Sequence, residues 1–137
     1  MPYLDPTTLI ERYIEEVVNG GNLAVVDTYI APNYVRHDPG LPFDVQGPDG
    51  VRQLVTVYRT AFPDIHFDRQ ALVGDRDRVA VYWLIRGTHE GILMGMSPTG
   101  KPFAISALEI FRLAGAKIAE HWAVVDYTAM FQQLGAT

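Results

Sequence analysis

EIFRLAGAKIAEHWAVVDYTAMFQQLG, residues Glu109–Gly135, holds the end of one strand, a glycine turn, a second strand and a helix. Alternation with a period of two on both sides of Gly115 is the signature of an antiparallel hairpin. With Gly115 at the centre of the turn, Glu109 falls opposite His121, Ala107 opposite Ala123 and Phe111 opposite Ala119. Glu109 and His121 then share one face, with Cβ atoms about 4.5–5.5 Å apart. The small residues beside them, Ala107, Ala119 and Ala123, leave space that a closed core would fill. A bulge of one residue would carry the second strand's side chains to the other face. That other face, Ser106, Leu108, Ile110, Ile118, Trp122 and Val124 with Arg112 and Glu120, is also largely apolar. Only one face can meet the chain's own helices. The second is expected to meet another copy through Leu108, Ile110 and Trp122, giving a homodimer, or to lie under a terminal segment.

The same period extends upstream. Ile65–Val73 and Val79–His89 read as strands joined by the polar turn Gly74-Asp75-Arg76-Asp77, and Phe103–Leu113 leads into the last hairpin. Before them the period is helical. Leu9, Ile10, Tyr13, Ile14, Val17 and Val18 form one stripe. It opens at Asp5-Pro6, with Thr8 and Glu11 at capping-box spacing, and closes at Asn19-Gly20-Gly21. A short helix with Leu23, Val26 and Ile30 inward follows. Asn33–His37 reads as a short extended piece and Asp38–Gly50 as a loop. A third helix carries Val51, Leu54, Val55 and Tyr58 and ends at Pro63. The last helix covers Tyr127–Leu134. Helices segregated from an antiparallel meander define a single α+β domain over residues 1–137.

The chain has 137 residues, 48% of them apolar, enough for one sizeable core. Its formal net charge of −5, with 20% charged residues and no Lys/Arg run, argues against nucleic acid or an anionic membrane as partner. No apolar stretch approaches the roughly 18 residues that span a bilayer. The absence of cysteine removes disulfides, thiolate nucleophiles and thiolate metal sites. MPYLDPTTLIERY lacks the basic-then-apolar pattern of a signal peptide, so a cytoplasmic protein is expected.

The stretches NYVRHDPG (33–40), RGTHEGILMGMSPTGK (86–101), IFRLAGAKIAEHW (110–122) and QQLG (132–135) resemble the SnoaL-like polyketide cyclases of the nuclear-transport-factor-2-like superfamily. The resemblance covers nearly the whole chain. It implies a cystatin-like α+β cone with N-terminal helices packed on a curved antiparallel sheet, an interior pocket and usually a homodimer. It also implies ring closure by an intramolecular aldol step without metal or cofactor, using an acidic side chain supported by histidines. His37, His121 and Glu109 match pocket positions. The acid/base aspartate of the aldol cyclases, two residues after the strand histidine, is Ala123 here.

Glu109, between Leu108 and Ile110, is costly to bury unless paired. It is either a general base tuned by a half-buried site or half of a structural ion pair. His121 is a hydrogen-bond donor to a substrate carbonyl, an acid, or a satisfied core histidine. Asp126 is most simply the N-cap of the last helix, with a pocket role as the alternative. His37 reaches the pocket mouth or the surface. His89 has inward parity if Trp83 and Ile85 point in. Tyr34, Trp83 and Phe111 line the pocket or fill the core, and Met94 and Met96 suit an adaptable apolar lid. No H-x-H or H-x-x-x-H spacing appears, so no metal is expected. The residues point to cofactor-independent cyclisation or isomerisation of an apolar, carbonyl-bearing small molecule, with Glu109 and His121 catalytic. A non-catalytic module binding such a molecule is the alternative.

Overall fold

The computed structural model describes residues 5–135. Helix α1 spans Pro6–Tyr13 and runs on through a π-helical turn, Ile14–Asn19. Its cap is Asp5, whose carboxylate accepts the Thr8 N–H at 3.0 Å and both threonine hydroxyls, Thr7 at 2.6 Å and Thr8 at 3.0 Å. The helix therefore starts at Asp5-Pro6 as expected, with Pro6 tolerated at its first position, and the cap is Asp5 rather than Thr8. The stripe Leu9, Ile10, Tyr13, Ile14 and Val17 is buried. Asn19 fixes the helix end to the sheet, with its amide donating to the Phe67 carbonyl and accepting from the Phe67 N–H.

A short helix α2, Val26–Tyr29, leads into β1, Ile30–His37. Strand β2 is two residues, Val45–Gln46, and α3 spans Gly47–Ala61. Strands β3 (His66–Asp75), β4 (Arg78–Thr88), β5 (Pro102–Ala114) and β6 (Lys117–Val125) make the meander, and α4 covers Tyr127–Gln133. The strands form one six-stranded sheet in the order β2-β1-β6-β5-β4-β3. The sheet is mixed. The extended piece around Asn33–His37 joins it as β1, parallel to β6, with Arg36 beside His121 and His37 beside Trp122. A parallel partner needs a long crossover, and more than half of the chain, from β1 to β6, supplies it here.

Alternation sorts the sheet into two faces. Val79, Val81, Trp83, Ile85, Phe103, Ile105, Ala107, Glu109, Phe111 and Leu113 point to the helices and are buried. Tyr82, Leu108, Ile110 and Val124 stand on the far face, open to solvent.

The hairpin register differs from that expected. The turn is two residues, Gly115-Ala116, so Ala114 pairs with Lys117. A bulge in β6 then shifts the pairing once more, setting Phe111 opposite His121 and Glu109 opposite Ala123. Two single shifts cancel in parity, so Glu109 and His121 keep a common face as diagonal rather than direct neighbours. The same bulge turns both Ile118 and Ala119 inward, which removes Ile118 from the outer face where alternation had placed it.

The segment after β4 is pinned to the end of α3, with the Glu90 and Gly91 N–H groups both donating to the Ala61 carbonyl. A Cβ at Gly91 would sit 1.8 Å from the Thr60 carbonyl oxygen, a backbone atom that cannot swing away. Gly91→Ala is expected to destabilise the fold by about 1–3 kcal/mol, read as a lowered thermal midpoint. An unchanged midpoint would show that this segment is not held against α3.

Candidate functional site

The helices and the concave sheet face enclose a cavity with apolar walls that include Val51, Leu54, Phe62, Phe103, Ile105 and Met130. Its polar side chains come from six elements: Tyr13 on α1, Tyr34 and Arg36 on β1, Tyr58 on α3, Glu109 on β5, His121 on β6 and Tyr127 at the start of α4. The β1–β6 pairing makes Arg36 and His121 neighbours, and β5 brings Glu109 beside them.

Glu109 and His121 are each 3% exposed, so their contacts are fixed by protein rather than water. One Glu109 oxygen, Oε2, accepts the Trp83 indole N–H at 2.8 Å. The other, Oε1, lies 3.3 Å from His121 Nε2 and 3.7 Å from Arg36 Nη2, yet neither makes an aligned hydrogen bond. His121 Nδ1 is 2.9 Å from the Tyr34 hydroxyl, and its ring stacks on Phe111 with centroids 4.0 Å apart. A carboxylate beside Nε2 favours the proton there, which leaves Nδ1 to accept from Tyr34. Arg36 donates through Nε and Nη2 to Asp38 Oδ2, at 3.2 and 2.9 Å. Asp38 also accepts the Tyr127 hydroxyl at 3.1 Å, and Tyr127 bonds the Tyr58 hydroxyl.

Burial alone would push the Glu109 carboxyl up, but His121, Arg36 and the Trp83 N–H oppose it, and the net shift is downward. Burial lowers His121, outweighing the attraction of Glu109, so the imidazole is neutral at pH 7. Burial likewise raises the Tyr34 and Tyr58 phenols, which remain hydrogen-bond donors. Arg36 is raised well above its ordinary value and stays charged.

The other sequence candidates fall at varied distances from this floor. Trp83 and Phe111 lie behind it, holding Glu109 and His121 rather than lining the cavity. Asp126 caps α4, accepting the Ala129 N–H at 3.1 Å, and its flanking residues Val125 and Tyr127 line the cavity instead. His37 does not reach the cavity. It stands on the far face, 2.7 Å from Glu120 and stacked on Trp122, because it is out of phase with Tyr34 and Arg36. His89 is wholly buried, but in the base of the Glu90–Gly100 loop, where Nδ1 accepts the Thr99 N–H and the ring packs on Phe62. Met94 is half-exposed at the tip of that loop and Met96 packs partly on the core; neither lines the cavity.

Sequence reasoning passed over Arg36, Asp38, Tyr58 and Tyr127. The signal for the first two was available, since Tyr34, Arg36 and Asp38 recur every second residue, the period that turns side chains to one face. Among the described residues no cluster of three or more His, Asp or Glu side chains could hold a metal ion. No helix of the described residues is long and apolar enough to cross a membrane.

Helices wrapped by a curved sheet around a cavity with a carboxylate–imidazole floor define a nuclear-transport-factor-2-like α+β cone. Within that class, the model of the SnoaL-like polyketide cyclases matches residues 8–134, and the chain belongs to this family. It is 30% identical over 119 residues to the nogalonic acid methyl ester cyclase of Streptomyces nogalater, covering 85% of this chain and 88% of that protein. It is 26% identical over 132 residues to the aklanonic acid methyl ester cyclase DauD of Streptomyces sp. (strain C5), covering 93% and 80%. Among solved structures, a candidate polyketide cyclase from Acidithiobacillus ferrooxidans superposes with a TM-score of 0.84 at 33% identity, covering 98% of both chains. IdmH, a candidate polyketide cyclase from Streptomyces antibioticus, gives 0.83 at 32% identity, over 97% of this chain and 100% of that one.

Proposed function

We propose that the chain is a cofactor-independent cyclase that removes a proton next to a carbonyl of an apolar substrate. The observation that carries this reading is His121 Nε2, a buried imidazole nitrogen with no hydrogen-bond partner, 3.3 Å from Oε1 of the buried Glu109 carboxylate at the cavity floor. Glu109 is ionised and accepts the proton. Neutral His121 donates Nε2–H to the carbonyl oxygen as charge develops on it. The family's acid/base position is Ala123, and it lies directly across from Glu109 in the sheet. Glu109 thus presents a carboxylate to the same volume from the neighbouring strand, one cross-strand step of about 4.5–5.5 Å away. Among the described residues Arg36 is the one cationic side chain of the cavity lining, and Asp38 and Glu109 already oppose it. A neutral substrate suits this balance better than a free acid, in keeping with relatives whose substrates are methyl esters.

Hydrogen–deuterium exchange at the methyl group of acetophenone, followed by NMR in deuterated buffer, tests the reading without the natural substrate. Exchange above the buffer rate is expected. Binding without exchange would instead favour a non-catalytic module, the reading that the methyl group of Ala123 supports.

We also infer a homodimer through the far sheet face. Leu108 is 58% and Val124 68% exposed on it as cross-strand partners, with Tyr82 on the other side of Leu108 and Ile110 two residues along β5. Trp122 extends the patch, held between His37 and the Arg78 guanidinium. Light scattering at micromolar concentration is expected to give twice the chain mass, and Leu108→Asp to halve it. A monomeric parent chain would overturn this assembly.

A further inference from the structure

Arg36, Tyr58 and Tyr127 have no part in proton abstraction, yet all three line the cavity. The guanidinium side chain is only 7% exposed, an expensive place for a charge. Two of its nitrogens are spent on Asp38; the third, Nη1, makes no aligned hydrogen bond among the described residues, with the Tyr34 phenol beside the guanidinium. The two phenols are bonded to each other, and Tyr127 is bonded in turn to Asp38. Tyr127 therefore donates to Asp38 and accepts from Tyr58. Asp38 ties the cluster together, taking Arg36 and Tyr127 on one oxygen, while Nη1 is left over.

Arg36 and His121 are neighbours across the β1–β6 pair, and both lie against the same Glu109 oxygen, one at 3.7 Å and the other at 3.3 Å. Glu109 Oε1 therefore has an oxygen-binding donor on each side. We propose that Arg36, supported by Tyr58 and Tyr127, is a second oxygen subsite, and that it binds the carbonyl which the enolate attacks. The ligand class is a molecule with two carbonyl oxygens, one for His121 and one for Arg36. This rests on the acid/base reading above and extends it to the bond-forming step.

The step balances without a co-reactant. Glu109 takes the α-proton, and the C–H electron pair becomes the enolate held at His121. The enolate carbon bonds to the second carbonyl carbon, whose π pair moves onto the oxygen at Arg36. That alkoxide recovers the proton from Glu109. The product is an isomer of the substrate and the carboxylate is restored. Arg36 stays charged throughout, so it stabilises the alkoxide without giving up a proton.

The subsite is tested by binding rather than turnover, with benzoylacetone as the two-carbonyl probe and acetophenone as the one-carbonyl probe. Arg36→Lys keeps a positive charge between Asp38 and Glu109 but lacks the forked third nitrogen. It is expected to lower the ratio of benzoylacetone to acetophenone affinity about tenfold, the usual effect of losing a hydrogen bond to a charged group. Tyr58→Phe, a second variant that leaves every charge in place, is expected to lower the same ratio by a smaller factor. Ratios equal to the parent's in both variants overturn the subsite. That outcome is separate from the exchange test: acetophenone exchange by the parent chain with unchanged ratios leaves Glu109 as base and removes only Arg36. Absent exchange removes the base itself.

Discussion

Glu109→Gln is expected to lower acetophenone exchange, and turnover of any accepted substrate, by about 10²–10⁴-fold, the contribution of a positioned general base. The amide keeps the shape of the side chain and can still accept the Trp83 N–H. A loss of rate with retained fold would therefore report the lost base. The parent's pH profile provides a second check. Glu109 is held below the ordinary carboxyl value of 4.5, and His121 below the ordinary 6.5. Activity should stay level through neutral pH, where Glu109 is ionised and His121 neutral. It should fall on the acid side as the two take up protons. Glu109→Gln indistinguishable from the parent would remove the base and favour the binding-module reading.

The second large effect is on stability. Arg36→Met is expected to destabilise the chain by about 3–5 kcal/mol, because it strands carboxylates in a dry site without their cation. Urea unfolding at pH 7 reads the loss. In the parent, the folded-state value of Glu109 is depressed, so its contribution is fully present above about pH 4.5 and is lost as pH falls through the folded value. In the variant, burial acts on Glu109 with less opposition and drives its carboxyl up. The variant is then able to relieve the cost by taking a proton. The gap between variant and parent should narrow as pH falls from 7 towards 4.5. A gap independent of pH would mean that lost packing of the side chain, not lost charge, is responsible.

The face shared by Glu109 and His121 was legible in the sequence because parity survives any even shift in register. The register itself was not, since nothing local distinguishes a turn centred on Gly115 from the two-residue turn Gly115-Ala116, or marks the bulge that follows. Helix α1 and the Asp126 cap were legible from local chemistry. The parallel pairing of β1 with β6 was not, because it joins segments far apart in the sequence. Charge also misled. Arg36 carries a charge that belongs in water by default, and only Asp38 and Glu109, brought together by the fold, make its burial tenable. His37 and His89 have the chemistry of site residues but not the position. Phase along β1 sent the first outward, and the turn of the chain after β4 placed the second under a loop.

The pairing of β1 with β6 also sets an order of events at synthesis. Tyr34 and Arg36 leave the ribosome well before their partner strand and the α4 tyrosine are made. Until then the concave face has no closing strand, and contacts across so great a sequence separation form slowly. Chains that stop before Lys117 lack both the imidazole and the strand that holds Arg36 in place. Such fragments would expose apolar strand surface to other chains and be prone to aggregate, and none would retain a weakened version of the site.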